Sequence, residues 1–145
     1  MELCGGTFNT SLQDQQPLCQ GLMPATILLI DDNAVQAATR QAILKRAGYF
    51  VIAVHRPESA LEQLRANEYP AAIDLIITDH VMPGMNGSEF VTKLREFSPA
   101  VPVLVISGMA EAEEEYAELG ADFRLKPLLP DNLLASVHRL VGVKV

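Results

Sequence analysis

Three short apolar runs in this chain stop at charged residues. Thr26-Ile27-Leu28-Leu29-Ile30 stops at Asp31 and Asp32, and Leu75-Ile76-Ile77-Thr78 stops at Asp79. A weaker run near the C-terminus stops at Lys126, just before Pro127. Continuous apolar runs of this length, set between amphipathic segments, read as parallel strands buried on both faces. The carboxyl ends of such strands share one edge of the sheet, where α/β proteins assemble their sites. Three carboxylates converging there repel one another unless a cation lies between them, and hard divalent cations take oxygen ligands. The pattern therefore predicts a magnesium-dependent phosphoryl site at the sheet edge.

The same alternation organises the rest of the chain. It predicts strands over 26–31, 50–54, 74–78, 102–106 and, more weakly, 121–125, with helices over 33–47, 57–67, 86–97, 111–119 and 131–141. Gly48 and Gly120 stand where helices should stop, and Pro57 and Asp131 where they should begin. Leu133, Leu134, Val137, Leu140 and Val141 fall on one side of the last helix, as in a stripe docked on a sheet. Five β-α units with right-handed crossovers give an α/β fold with a doubly wound, five-stranded parallel sheet. Residues 1–24 are rich in Gly, Gln, Asn and Thr without periodicity, and are expected to be a flexible leader to a single folded unit over 25–145.

Bulk properties narrow the partners. A net charge of -7 leaves no basic stripe for a nucleic-acid backbone. No apolar stretch approaches membrane-spanning length, and the N-terminus lacks a signal-peptide pattern, so the expected compartment is the cytoplasm, away from membranes. Cys4 and Cys19 lie in the leader at no metal-ligand spacing and are expected to be reduced thiols.

Four motifs, in order and each at a predicted strand end, carry a resemblance. They are Ile30-Asp31-Asp32, then Asp79-His80-Val81-Met82-Pro83-Gly84-Met85-Asn86-Gly87, then Ile106-Ser107-Gly108, and finally Leu125-Lys126-Pro127. With them, residues 25 to about 142 resemble the receiver domain of response regulators in two-component signalling. The resemblance implies a flavodoxin-like sheet in the order 2-1-3-4-5 and a phosphorelay function rather than an enzyme's. Asp79 matches the phosphoacceptor, supplied by a histidine kinase or a histidine phosphotransfer protein. Asp32 matches the direct Mg²⁺ ligand, Asp31 the ligand acting through water, and the Val81 backbone carbonyl a further ligand. Ser107 matches the hydroxyl that bonds a phosphoryl oxygen, Lys126 its countercharge, and the backbones of His80 and Gly108 further phosphoryl contacts. The bond before Pro127 is usually cis in the family. Phe123 matches an aromatic switch coupled to Ser107, although an ordinary core aromatic explains it equally well.

Local readings compete at several positions. An Asp-Asp pair after a strand often caps a helix, and Ser-Gly is often a turn. The imidazole of His80 is expected to point away from the acceptor, and His55 and His138 to be solvated. Glu111, Glu113, Glu114, Glu115 and Glu118 read as a solvated helix face bordering the surface, from the fourth to the fifth helix, through which receivers pair or meet partners. Val81 and Met109, each two residues past a site residue, are apolar and cannot orient a hydrolytic water, which predicts a long-lived phosphorylated state. Three alternative functions fit these residues less well. A haloacid-dehalogenase-type phosphatase needs an Asp where Val81 stands, a flavodoxin needs a hydroxyl-rich first loop, and a degenerate docking receiver would not need the full set of site residues. The motif wording resembles receivers attached to sensor kinases; a stand-alone regulator fits equally.

Overall fold

The computed structural model describes residues 24–142. The expected leader up to residue 23, Cys4 and Cys19 lie outside the described residues. Five strands, β1 (Thr26–Ile30), β2 (Phe50–Val54), β3 (Leu75–Asp79), β4 (Val103–Ser107) and β5 (Asp122–Leu125), form one sheet in the order β2-β1-β3-β4-β5. Every pairing is parallel. Five helices alternate with them: α1 (Ala34–Arg46), α2 (Pro57–Arg65), α3 (Gly87–Phe97), α4 (Glu113–Ala117) and α5 (Pro130–Val141).

Strand alternation divides the interior in two. Leu28 and Ile30 of β1 point into a core with Ile76, Val105, Phe90 and Leu94, on the side of α2, α3 and α4. Ile27 and Leu29 point the other way, to Ile77, Ile106, Leu44 and Val137, on the side of α1 and α5. Because β1, β3 and β4 are interior strands, every residue in them is buried. The edges differ from that picture. β2 reads as a continuous apolar run, yet Phe50 at its start is 46% exposed, because an edge strand has a neighbour on one side only.

Helix ends follow local chemistry. Asn33, not the Asp pair, caps α1 by accepting the Gln36 N–H at 2.9 Å, and Asn86 with Glu89 forms a reciprocal capping box on α3. Gly48 and Gly120 take positive φ beyond α1 and α4, as a helix stop requires. The fourth helix departs from expectation. In place of one helix over 111–119 there is a 3-10 turn, Ala110–Ala112, followed by the five-residue α4. Three consecutive glutamates have no apolar face to bury, so packing supports only the turns that carry Ala112 and Tyr116 inward. Beyond it, Arg95 of α3 donates to the carbonyls of Leu119 (2.8 Å) and Val101 (2.6 Å), tying two loops to one side chain.

Gly87 opens α3 because nothing larger fits. A Cβ there would stand 2.6 Å from the Asp79 carbonyl oxygen and closer still to the Tyr116 hydroxyl. Gly87→Ala is expected to destabilise the domain by about 1–3 kcal/mol, through overpacking against backbone that cannot move away. Urea denaturation measures it; an unchanged midpoint would show that the loop relaxes freely.

Candidate functional site: an acidic cluster at the carboxyl edge of the sheet

Register delivers the side chains. β1 ends at Ile30, and the next residue, Asp31, remains fully buried and is held by its N–H to the Val54 carbonyl at 3.0 Å. β3 ends at Asp79, itself 3% exposed and paired in register with Ile106 of β4. Ser107, one residue further on β4, is buried beside it, and its Oγ accepts the Met109 N–H at 3.0 Å. The Lys126 N–H bonds the Ser107 carbonyl at 2.9 Å, which ties the end of β5 to the end of β4. The Lys126–Pro127 peptide is cis. The Nζ of Lys126 reaches Asp79 Oδ1 at 3.0 Å.

The three carboxylates meet as expected. Ligand oxygens of Asp31, Asp32 and Asp79 lie within 4.8 Å of one another, with Asp31 and Asp79 buried and Asp32 exposed. Burial, followed by the neighbouring Asp31 carboxyl, pushes the Asp79 carboxyl up to about 6, against the opposing pull of Lys126 and Arg40. Asp79 Oδ1 faces two cationic groups, Lys126 Nζ at 3.0 Å and Arg40 Nη1 at 3.5 Å. A buried carboxylate with two further carboxylates converging on it suits a hard divalent ion. The donor set fits Mg²⁺.

Two residues at this site were missed. Gln36 Nε2 donates to Asp31 Oδ2 at 2.7 Å and to Asp79 Oδ2 at 3.1 Å, bridging the pair. Arg40, one helical turn on, sends Nη1 to Asp31 Oδ2 at 3.2 Å and stands 3.5 Å from Asp79 Oδ1. Their i, i+4 spacing on α1 was the available signal, but two polar residues at that spacing ordinarily mark a solvated helix face.

The remaining positions sort as follows. His80 is buried and its ring turns away from the carboxylates, with Nδ1 2.6 Å from the Tyr116 hydroxyl of α4 and Nε2 4.0 Å from Glu115. That partnership across 36 residues had no sequence signal. Burial raises the Tyr116 hydroxyl well above the ordinary tyrosine value. Phe123 lies in the core, stacked on Tyr116 at 5.9 Å. Val81 and Met109 are exposed, at 63% and 39%. No protein atom lies within 4 Å of a Cβ built on Gly108, so the protein's own packing does not require glycine there. His138 is solvated, whereas His55, though exposed, has Nδ1 3.0 Å from the Asp31 carbonyl. Among the described residues, no helix is long and apolar enough to cross a membrane.

Known proteins resemble this chain in sequence and fold. Residues 27–138 match the family model of the response regulator receiver domain. The chain is 33% identical over 119 residues to the transcriptional regulatory protein ZraR of Escherichia coli K12, covering 80% of this chain and 26% of that protein. It is 30% identical over 118 residues to the cell cycle response regulator CtrA of Brucella abortus, covering 79% of this chain and 49% of that protein. The chain thus spans half or less of the length of these relatives. Among solved structures, the chemotaxis response regulator CheY4 of Vibrio cholerae superposes with a TM-score of 0.73 at 30% identity, over 81% of this chain and 99% of that one.

Proposed function

Since the chain belongs to the response regulator receiver family, a signalling module of two-component systems, we propose that Asp79 accepts a phosphoryl group from a histidine kinase or a histidine phosphotransfer protein, and that the modified domain signals through the surface from α4 to α5. The observation that carries this reading is Asp79 itself. It is a buried carboxylate at the end of the central strand, with Lys126 Nζ 3.0 Å from its Oδ1.

In the transfer, a carboxylate oxygen of Asp79 forms a bond to phosphorus as the phosphorus–nitrogen bond of the donor's phosphohistidine breaks, and the departing imidazole takes up a proton. The transition state is loose, so positioning and countercharge do most of the work. Lys126 supplies a fixed positive charge, and Ser107 offers its hydroxyl from the neighbouring strand. Asp31, Asp32 and Asp79, with the Val81 carbonyl, are the groups that would hold Mg²⁺, which when bound screens the charge on both reactants. The backbone N–H groups of His80 and Gly108 are assigned to phosphoryl oxygens.

Two routes lead outward. Ser107 and Phe123 form the first, with Phe123 acting through burial because it lacks a hydroxyl. The second is the His80–Tyr116 hydrogen bond, which joins the residue after the acceptor directly to α4. A docking-only receiver is disfavoured, since such a module has no use for a buried Asp79 beside a Lys126 countercharge.

The test is direct. Acetyl phosphate with Mg²⁺ should add one phosphoryl group, mapped to Asp79 after borohydride reduction, and labelled kinases should transfer label to the same residue. Label on any other residue overturns the assignment. Mg²⁺ alone is expected to raise the melting temperature by mass action, because the folded cluster binds the ion and the unfolded chain does not. A melting temperature that stays constant across a broad Mg²⁺ titration contradicts a metal site here.

A further inference from the structure

Arg40 stands where a metal-binding acidic cluster has least need of a protein cation. It is 9% exposed on α1 and packs against the buried carboxylates. Its Nη1 lies 3.2 Å from Asp31 Oδ2 and 3.5 Å from Asp79 Oδ1, so one guanidinium nitrogen faces both. Lys126, by contrast, touches Asp79 alone and is about one third exposed. The charge of arginine is permanent, so Arg40 cannot relieve its own burial by losing a proton.

We propose that Arg40 is a built-in countercation of the phosphoacceptor site that competes with the divalent ion for the oxygens of Asp31 and Asp79. The idea rests on the reading of these residues as a phosphoacceptor and metal cluster. Asp31 has little left to offer an incoming ion: Oδ1 accepts the Asn33 N–H at 2.9 Å, and Oδ2 already holds Gln36 and Arg40. Three carboxylates, Lys126 and Arg40 together leave the cluster only one formal negative charge before any metal arrives. A dication entering that cluster gains less attraction than it would from carboxylates without the guanidinium. Once Asp79 carries a phosphoryl group the local charge becomes more negative, so the same ion binds better. Arg40 thereby ties tight metal binding to the phosphorylated state and steadies the resting domain without metal.

Calorimetric titration with MnCl₂ or MgCl₂, without phosphodonor, tests this on the whole chain. Arg40→Met should bind either ion about tenfold more tightly than the unmodified protein, because a like charge has left the cluster. Its melting temperature in EDTA should fall, and Mg²⁺ should restore it by more than it raises that of the unmodified protein. Equal or weaker metal affinity in the variant overturns the proposal. If Arg40→Met does not fold, the unmodified protein supplies the answer through the Arg40 guanidinium ¹⁵N resonances, assigned with Arg40→Lys. Saturating Mg²⁺ should free the guanidinium to rotate, and resonances unmoved at saturation overturn competition. None of these readouts needs phosphorylation, so failure of Asp79 to take label would strike the functional reading separately.

Discussion

Asp79→Asn is expected to abolish acyl-phosphate formation completely and, in the same molecule, to make the metal-free domain more stable at pH 8. The first effect follows from the loss of the nucleophilic oxygen: an amide cannot form the mixed anhydride. The second follows from burial. The Asp79 carboxyl is held up at about 6, first by desolvation and then by Asp31, above its ordinary value of 3.8. A carboxyl whose folded value is raised favours the folded state only while protonated. Stability from this group is therefore fully present below about pH 4 and is lost as pH rises through about 6. At pH 8 the ionised, buried carboxylate costs the fold on the order of 2–3 kcal/mol, which a neutral amide of the same shape removes. Urea denaturation in EDTA at pH 4 and pH 8 should show a gain of about 2 kcal/mol in the variant at the higher pH and almost none at the lower. Phosphate retained undiminished in Asp79→Asn would sink the acceptor assignment, and an equal stability change at both pH values would sink the electrostatic account.

The second large effect concerns the lifetime of the phosphorylated state. Hydrolysis needs a water held in line with the phosphorus–oxygen bond. Val81 and Met109 follow the ends of β3 and β4, each two residues past a proposed phosphoryl-site residue, and are 63% and 39% exposed. Neither can hydrogen-bond the attacking water. A lost water-positioning contact raises a barrier by about 1–2 kcal/mol, or about tenfold in lifetime. Val81→Asn combined with Met109→Glu should shorten the lifetime by about that factor or more while leaving the circular dichroism spectrum unchanged. Loss of phosphate within seconds from the unmodified protein, or no change in the double variant, would remove these two positions from the timing of the signal.

Much of the site was legible because it is written where strands end. Asp31, Asp32, Asp79, Ser107 and Lys126 each terminate or follow an apolar run, and a parallel sheet has only one edge to which those ends can go. Gln36 and Arg40 were not legible, since α1 carries small and polar residues with no clear apolar stripe, and its inward face cannot be read from spacing. α4 is shorter than its sequence implies because a run of glutamates favours helix locally, whereas the length of a helix is set by what it can bury.

The sequence by itself determined the alternation of strand and helix, the two-faced burial of β1, β3 and β4, and the identity of the acidic edge, because these depend on periodicity and on which residues stop each run. Only the tertiary structure decided which strands became edges, that Arg40 contacts Asp31 and Asp79, and that His80 bonds Tyr116 across 36 residues. Those outcomes are contacts between segments distant in the chain. Their partners are chosen by the shape of the assembled core, and no local pattern encodes that shape.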